Sequence, residues 1–402
     1  MPEAVIIDVV RTAGGKRNGA LAGWHPVDLA AEALKALAER NSLDPSIIDD
    51  VIMGCVMQAG AQALNVGRNA VLAAGFPESV PATTIDRQCG SSQQAYHFAA
   101  QGVMAGAYDV VIASGVEVMS LVPMGGSIGK NIGFPFGSAW DRYSEVELLE
   151  GNKGLVGQGL SAEIIANEAD LSRADLDAFG ARSQQLAQAA TEQGRFDNEI
   201  IPVVSKIRDK ETGAVTVLDT MHTRDEGVRP GTTAEGLANL KPAFMEGGKV
   251  TAGNSSQICD GASAALIMSA DKARELGLTP RAKFRSFALA GVDPVRMLTG
   301  PMPATHKALA KAGLSIDQID HIEINEAFAS VVLAWEKELK ADMSRVNPNG
   351  GAIALGHPLG ASGTKLLATM LNELERSGGR IGLQTMCEGG GLANATIIEL
   401  LG

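Results

Sequence analysis

Cysteine is sparse in this 402-residue chain: four residues, at 55, 89, 259 and 387. None forms a C-x-x-C pair, which excludes the common zinc and thioredoxin-like patterns. Basic side chains are outnumbered, 34 Lys and Arg against 46 Asp and Glu, for a net charge of −12. That argues against a general nucleic-acid binder, which needs a basic surface. A local cationic patch for one anionic small ligand stays open. No apolar run reaches the ~18 residues of a membrane-spanning helix. No G-x-G-x-x-G follows the first apolar strand, so a dinucleotide fold is not indicated. Aromatics are only 4% of the chain.

Glycine, in contrast, is abundant at 47 residues. The glycines follow no period, so collagen is excluded, and they cluster late, where backbone must approach something closely. With 45% apolar and 20% charged residues, the chain is an ordinary globular composition, and its length suits two to four units at about 100–200 residues each. No secretory signal or disulfide framework is evident, so a reducing cytoplasm is the expected compartment.

Apolar runs at 4–10, 51–56 and 109–114 predict strands, and helical spacing of Leu29, Ala30, Ala33, Leu34, Leu37 and Ala38 predicts a helix over 27–40. A small-residue helix is expected over about 90–105. The last third repeats this order. KALAERNSLDPSIIDDVIMG (35–54) resembles KALAKAGLSIDQIDHIEIN (307–325), and DVVIASGVE (109–117) pairs with RIGLQTMCE (380–388), at an offset of about 271. This is an internal duplication of about 120 residues. The expected domains are a first half at 1–119 plus 249–270, a loop domain at 120–248, and a second half at 271–402. The middle holds a glycine-rich stretch (125–137) and two expected amphipathic helices (162–170 and 174–193). It reads as an insertion covering the site, with 253–269 returning to the first sheet.

Four positions stand out chemically. Cys89, in IDRQCGSSQQA, lies where an extended segment turns into a helix. The positive helix end is expected to lower its pKa and sharpen it as a nucleophile. An arbitrary cysteine is more often a small buried residue, but Gly90, Ser91 and Ser92 clear bulk from this one. His357, in NGGAIALGHPLGASG (349–363), is the only one of six histidines wrapped in glycines. An imidazole near its own pKa could take the thiol proton. Cys387, in TMCEGGGLANAT, precedes glycines that can present backbone N–H groups to an oxyanion. Asn325, in EINEAFA, could hold a water or a carbonyl, and Glu326 beside it could orient a partner, although strand-end Asn is commonly a turn residue. Together they suggest acyl transfer through a thioester.

On these motifs, together with RTAGGKRNG near the start, DEGVRPGTTAEGLANLKPAF (225–244) and TAGNSSQICDGASA (251–264), the chain resembles the thiolase family over essentially its full length. The resemblance implies two α/β halves in an α-β-α-β-α stack with an inserted loop domain, and a homodimer or homotetramer. It implies thiolytic cleavage of a 3-oxoacyl-CoA to acetyl-CoA and a shortened acyl-CoA. Cys89 then matches the acylated nucleophile, His357 its base, and Cys387 the second acid/base. Asn325 matches the holder of an oxyanion-hole water beside His357. The N–H groups of Cys89 and Gly389 match the second oxyanion hole, and Arg229 and Ser256 match CoA contacts. Coenzyme A is a co-substrate, and no metal or resident cofactor is expected.

One departure concerns the acyl site. Short-chain acetoacetyl-CoA thiolases carry a His-Met pair where this chain has Gly157 and Gln158. A wider acyl pocket is expected, and the chain looks more like degradative thiolases of actinobacterial steroid breakdown. The alternatives are a short-chain acetoacetyl-CoA thiolase, a condensing ketoacyl-synthase relative, a non-catalytic acyl-CoA or lipid binder on the same scaffold, and a Cys/His amidohydrolase. Cys387 in CEGGG speaks against the condensing relative and leaves the amidohydrolase with an unexplained second cysteine. Retention of Cys89 and His357 speaks against the non-catalytic reading.

Overall fold

The computed structural model describes residues 2–128 and 135–402. The expected glycine-rich stretch at 125–137 therefore lies partly outside the described residues. The frame consists of nine main strands: β1 (Ala4–Thr12), β2 (Asp50–Gly54), β3 (Ala82–Ile85), β4 (Val110–Val118), β5 (Cys259–Ser269), β6 (Ala282–Gly291), β7 (His321–Ile324), β8 (Ile381–Glu388) and β9 (Leu392–Leu400). Eight helices matter to the site: α1 (Pro26–Arg40), α2 (Val66–Ala73), α3 (Ser91–Met104), α4 (Gln158–Glu168), α5 (Arg173–Glu192), α6 (Pro301–Ala312), α7 (Ala329–Leu339) and α8 (Ser362–Ser377).

The first half orders its strands β3-β2-β4-β5-β1 and the second β7-β8-β9-β6. They meet where Val5 and Ile6 of β1 pair with Lys283 and Ala282 of β6. That contact joins them into one eleven-stranded path, counting two short side strands. The duplication is physical. In the first half Asp50 pairs with Val111 and Met53 with Ser114; in the second His321 pairs with Gly382 and Ile324 with Thr385. Every residue of the second set lies 271 positions after its counterpart.

Helices fill the spaces between and outside the strands. α3 packs on β2 and β4 and against α8, and α8 packs on β7 and β8 as well as on β1 and β5. These two helices form the middle layer. α1 and α2 cover the outer face of the first half, and α6 that of the second. β1, β4 and β5 lie between helical layers and are buried along their whole length instead of alternating, whereas β6 alternates between buried and more exposed residues. α1 starts on Pro26, whose fixed φ suits the first turn, and buries Leu29, Ala30, Ala33, Leu34, Leu37 and Ala38 on one face. β5 returns to the first sheet between β1 and β4, as the expected segment 253–269 requires.

One expected element differs. The helix expected over 162–170 begins earlier, at Gln158, and is buried nearly all round, with Gly159 and the run 161–166 covered. It is a core helix packed on α7 instead of an amphipathic cover. α5 starts on a Ser172–Asp175 capping box, which satisfies its first N–H groups.

A buried ion cluster ties the middle segment to the first half. Arg11 Nε donates to Glu199 at 2.6 Å, and its two terminal nitrogens donate to Asp225 at 2.8 and 3.1 Å, all away from water. Cutting Arg11 to Met leaves two buried carboxylates without their cation. Urea unfolding of Arg11→Met is expected to show a loss of about 3–5 kcal/mol; a loss below about 1 kcal/mol would contradict this account of the cluster.

Candidate active site

After β3 the chain turns sharply through Arg87, Gln88 and Cys89 before α3 begins. Gln88 takes φ +49°, a strained conformation for a residue with a side chain. Ser91 pins this turn, accepting from the Arg87 N–H at 2.9 Å and donating to the Gln88 carbonyl at 2.6 Å. Gly90 follows because Glu388 lies against it: a Cβ there would meet the carboxyl oxygen at 2.1 Å. The Gln158 side chain and the N–H groups of Cys89 and Gly389 lie beside the Cys89 sulfur and favour its thiolate form. The structure thus brings the two N–H groups named from the sequence close to the Cys89 sulfur.

The expected fall in the Cys89 pKa is not found. Burial, and the Glu388 carboxyl beside it, push the thiol up to about 12. Nearby hydrogen-bond donors favour the thiolate, but Cys89 is only 4% exposed, and taking a thiolate out of water outweighs them. Burial also pushes Glu388 itself well above the usual carboxylate range.

His357 departs from expectation in the same sense. Burial, with the Lys365 ammonium adding to it, lowers its pKa to about 3, so the ring is neutral at physiological pH. Its tautomer follows from one hydroxyl proton. Ser362 Oγ, at the start of α8, donates to the Pro358 carbonyl at 2.9 Å and so accepts from His357 Nδ1 at 2.5 Å. Nε2 is left bare, as a base requires. Asn325 Nδ2 lies 3.4 Å from it.

Cys387 is fully buried at the end of β8, and that burial, with the nearby Cys89 sulfur, holds its thiol well above the usual range. Both cysteines are free thiols. Asn325 follows β7 directly. Glu326 turns away from the site, accepting from Ser183 at 2.5 Å, Asn347 at 3.0 Å and the Ile353 N–H at 3.2 Å. It braces the glycine-rich segment that leads to His357. On the first half, Glu117 accepts from the N–H groups of Val56, Met57 and Gly360 at 3.0, 3.1 and 2.9 Å, and from Gln62 at 2.7 Å. That clasp fixes the loop just past His357.

A cavity of about 900 Å³ opens onto His357. Leu160, Phe244, Ile258, Phe328 and Leu359 make its wall largely apolar, while Lys16, Arg17 and Arg229 supply cationic side chains. Ser256 lines it as well. The middle segment contributes Gly157, Gln158, Leu160 and Phe244, so it forms part of the site. Phe244 packs against α4 where Gly159 leaves room, a Cβ there meeting the ring at 2.1 Å.

Comparison with known proteins agrees with this arrangement. The thiolase N-terminal domain matches residues 4–271 and the thiolase C-terminal domain residues 278–400. The chain belongs to the thiolase family. It is 52% identical to a steroid 3-ketoacyl-CoA thiolase of Mycobacterium tuberculosis, over all of this chain and 95% of that protein. It is 48% identical to a 3-ketoacyl-CoA thiolase of Saccharophagus degradans, over 99% of this chain and 98% of that one. A crystal structure of the Bacillus anthracis acetyl-CoA acetyltransferase superposes with a TM-score of 0.87 at 38% identity, covering 100% of this thiolase and 99% of that chain. The protein is thus an acyltransferase that cleaves 3-oxoacyl-CoA thiolytically.

Sequence reading missed some of this thiolase's site. Gln158 stood out only as a departure, yet its side chain acts on the Cys89 sulfur. Ser362 lies inside the HPLGASG motif but nothing local marks it as the residue that sets the histidine tautomer. Among the described residues no helix is long and apolar enough to cross a membrane.

Proposed function

We propose that this thiolase acts on 3-oxoacyl-CoAs with bulky, steroid-derived acyl groups, with Cys89 carrying the acyl group. One observation supports the bulky substrate most. Gly157 lines the cavity, and a Cβ on it would meet nothing within 4 Å. Its φ of −71° is one that any residue adopts, so the glycine is not there for its backbone. Its effect is to leave room where short-chain relatives carry a side chain. A cavity of about 900 Å³ is at the large end of ligand sites, and the M. tuberculosis relative carries the name of a steroid thiolase.

In this reading His357 Nε2 takes the Cys89 proton as the sulfur attacks the C3 carbonyl. The N–H groups of Cys89 and Gly389 receive the oxyanion. The C2–C3 bond breaks, and its electron pair passes to the acetyl-CoA enolate. That enolate faces protonated His357 and a water held by Asn325, and Cys387 protonates its carbon. CoA then enters, gives its thiol proton to the Cys387 thiolate, and attacks the thioester. Cys89 leaves and recovers its proton from His357, so protons and electrons balance over the cycle. Arg229 and Ser256 are assigned to CoA. The reading includes a homodimer or homotetramer in the cytoplasm, with CoA as co-substrate and no resident cofactor.

The test is Gly157→His, assayed with acetoacetyl-CoA and with a bulky cyclic 3-oxoacyl-CoA. The native enzyme should prefer the bulky substrate, and the variant should lose at least tenfold in kcat/KM on it while keeping acetoacetyl-CoA turnover. A native preference for acetoacetyl-CoA would instead favour the short-chain reading.

A further inference from the structure

Asn325 also lines a second and much smaller cavity, of about 10 Å³. Its lining includes Glu323, Asn325, Ala352, Ser362 and Lys365. That volume corresponds to about one water. Glu323 and Asn325 are two apart at the end of β7, so both side chains emerge on one face. Two buried oxygens in its wall, Asn325 Oδ1 and Glu323 Oε2, have no hydrogen-bond partner among the described residues. The other Glu323 oxygen is engaged, 2.8 Å from His321 Nε2.

The duplicated frame shows that this polar group is not a need of the fold. Glu323 and His321 occupy the positions that Ile52 and Asp50 hold in the first half, in the same register. Ile52 is a buried apolar residue packed in the middle layer. A carboxyl buried where the sister half holds isoleucine is costly unless it is hydrogen-bonded. Burial pushes Glu323 up to about 7.

We propose that one water in this cavity donates to both Asn325 Oδ1 and Glu323 Oε2, making Glu323 a positioning residue that fixes the orientation of the Asn325 amide. A water has two protons, and two acceptors await them. With Oδ1 held by that water, Nδ2 is the atom that faces the bare Nε2 of His357, the orientation found at 3.4 Å. A flipped amide would set an oxygen lone pair against that nitrogen lone pair. Asn325 would then present an acceptor where an enolate oxygen and its water need a donor.

This proposal rests on the role given to Asn325 above, and the experiment separates the two. Glu323→Leu removes the acceptor, Glu323→Gln keeps a group that can bond the water, and Ala352→Val fills the cavity without touching either polar side chain. Glu323→Leu and Ala352→Val should each lower kcat about tenfold with KM unchanged, while Glu323→Gln stays within about twofold of native. In an Asn325→Ala background, Glu323→Leu should cost nothing further, because the residue acts only through Asn325. If Asn325→Ala itself keeps native kcat, the role of Asn325 fails. If Asn325→Ala is slow but Glu323→Leu multiplies that loss, or if Ala352→Val is as fast as native, the bridging water is overturned. Should Glu323→Leu not fold, Ala352→Val and Glu323→Gln decide alone: native kcat in the first, or a tenfold loss in the second, contradicts the proposal.

Discussion

Cys89→Ala loses at least about 10⁴-fold in kcat/KM for any 3-oxoacyl-CoA, measured as CoA-dependent loss of substrate. The size of the effect follows from convergence. The N–H groups of Cys89 and Gly389 and the Gln158 side chain all act on one sulfur, each favouring its thiolate form, so removing that atom removes what they are arranged around. Cys387 does not substitute. It is fully buried, and its thiol stands well above the ordinary range. A residual rate within a hundredfold of native would mean that the nucleophile lies elsewhere.

His357→Asn loses about 10³-fold, within the range of a removed general base. The argument starts from two opposed shifts. The thiol is pushed up to about 12 and the imidazole down to about 3. At neutral pH the resting pair is therefore thiol and free base instead of thiolate and imidazolium. Proton transfer occurs as the sulfur attacks, when the developing oxyanion is already held. A consequence is visible without substrate. Alkylation of Cys89 by iodoacetamide should keep rising with pH through 10 in His357→Asn, because no neighbouring base then shares the proton. A plateau near pH 7 would contradict the raised thiol. The same residue affects stability. Its folded pKa of about 3 lies below the ordinary 6.5, so the unfolded chain takes up the proton first. This contribution is complete above pH 6.5 and is lost as pH falls toward 3.

Much of this was legible in the residues. The offset of 271 between two stretches of sequence reappears as strand register, since a repeated apolar pattern buried between helical layers admits one pairing. The glycines around His357 and after Cys387 marked the loops that meet at the site. What stayed hidden depends on distance in space. Nothing local to QGLSAE announces that Gln158 acts on the sulfur. The helix it begins is buried by α7 and the second half instead of through its own periodicity, so its sequence alone suggests a later start and an amphipathic face. The direction of the Cys89 shift is not legible in the sequence for a related reason. A helix terminus can be read from sequence, whereas depth of burial cannot, and at Cys89 burial is the larger effect.

The most direct measurement is peptide-mapped mass spectrometry after incubation with 3-oxoacyl-CoAs ranging from acetoacetyl to bulky cyclic, with free CoA withheld. The account predicts an acyl group on Cys89 alone, loaded most fully by the bulky substrates and discharged when CoA is added. An acyl group on Cys387, or no adduct from any substrate while CoA still binds, would contradict it.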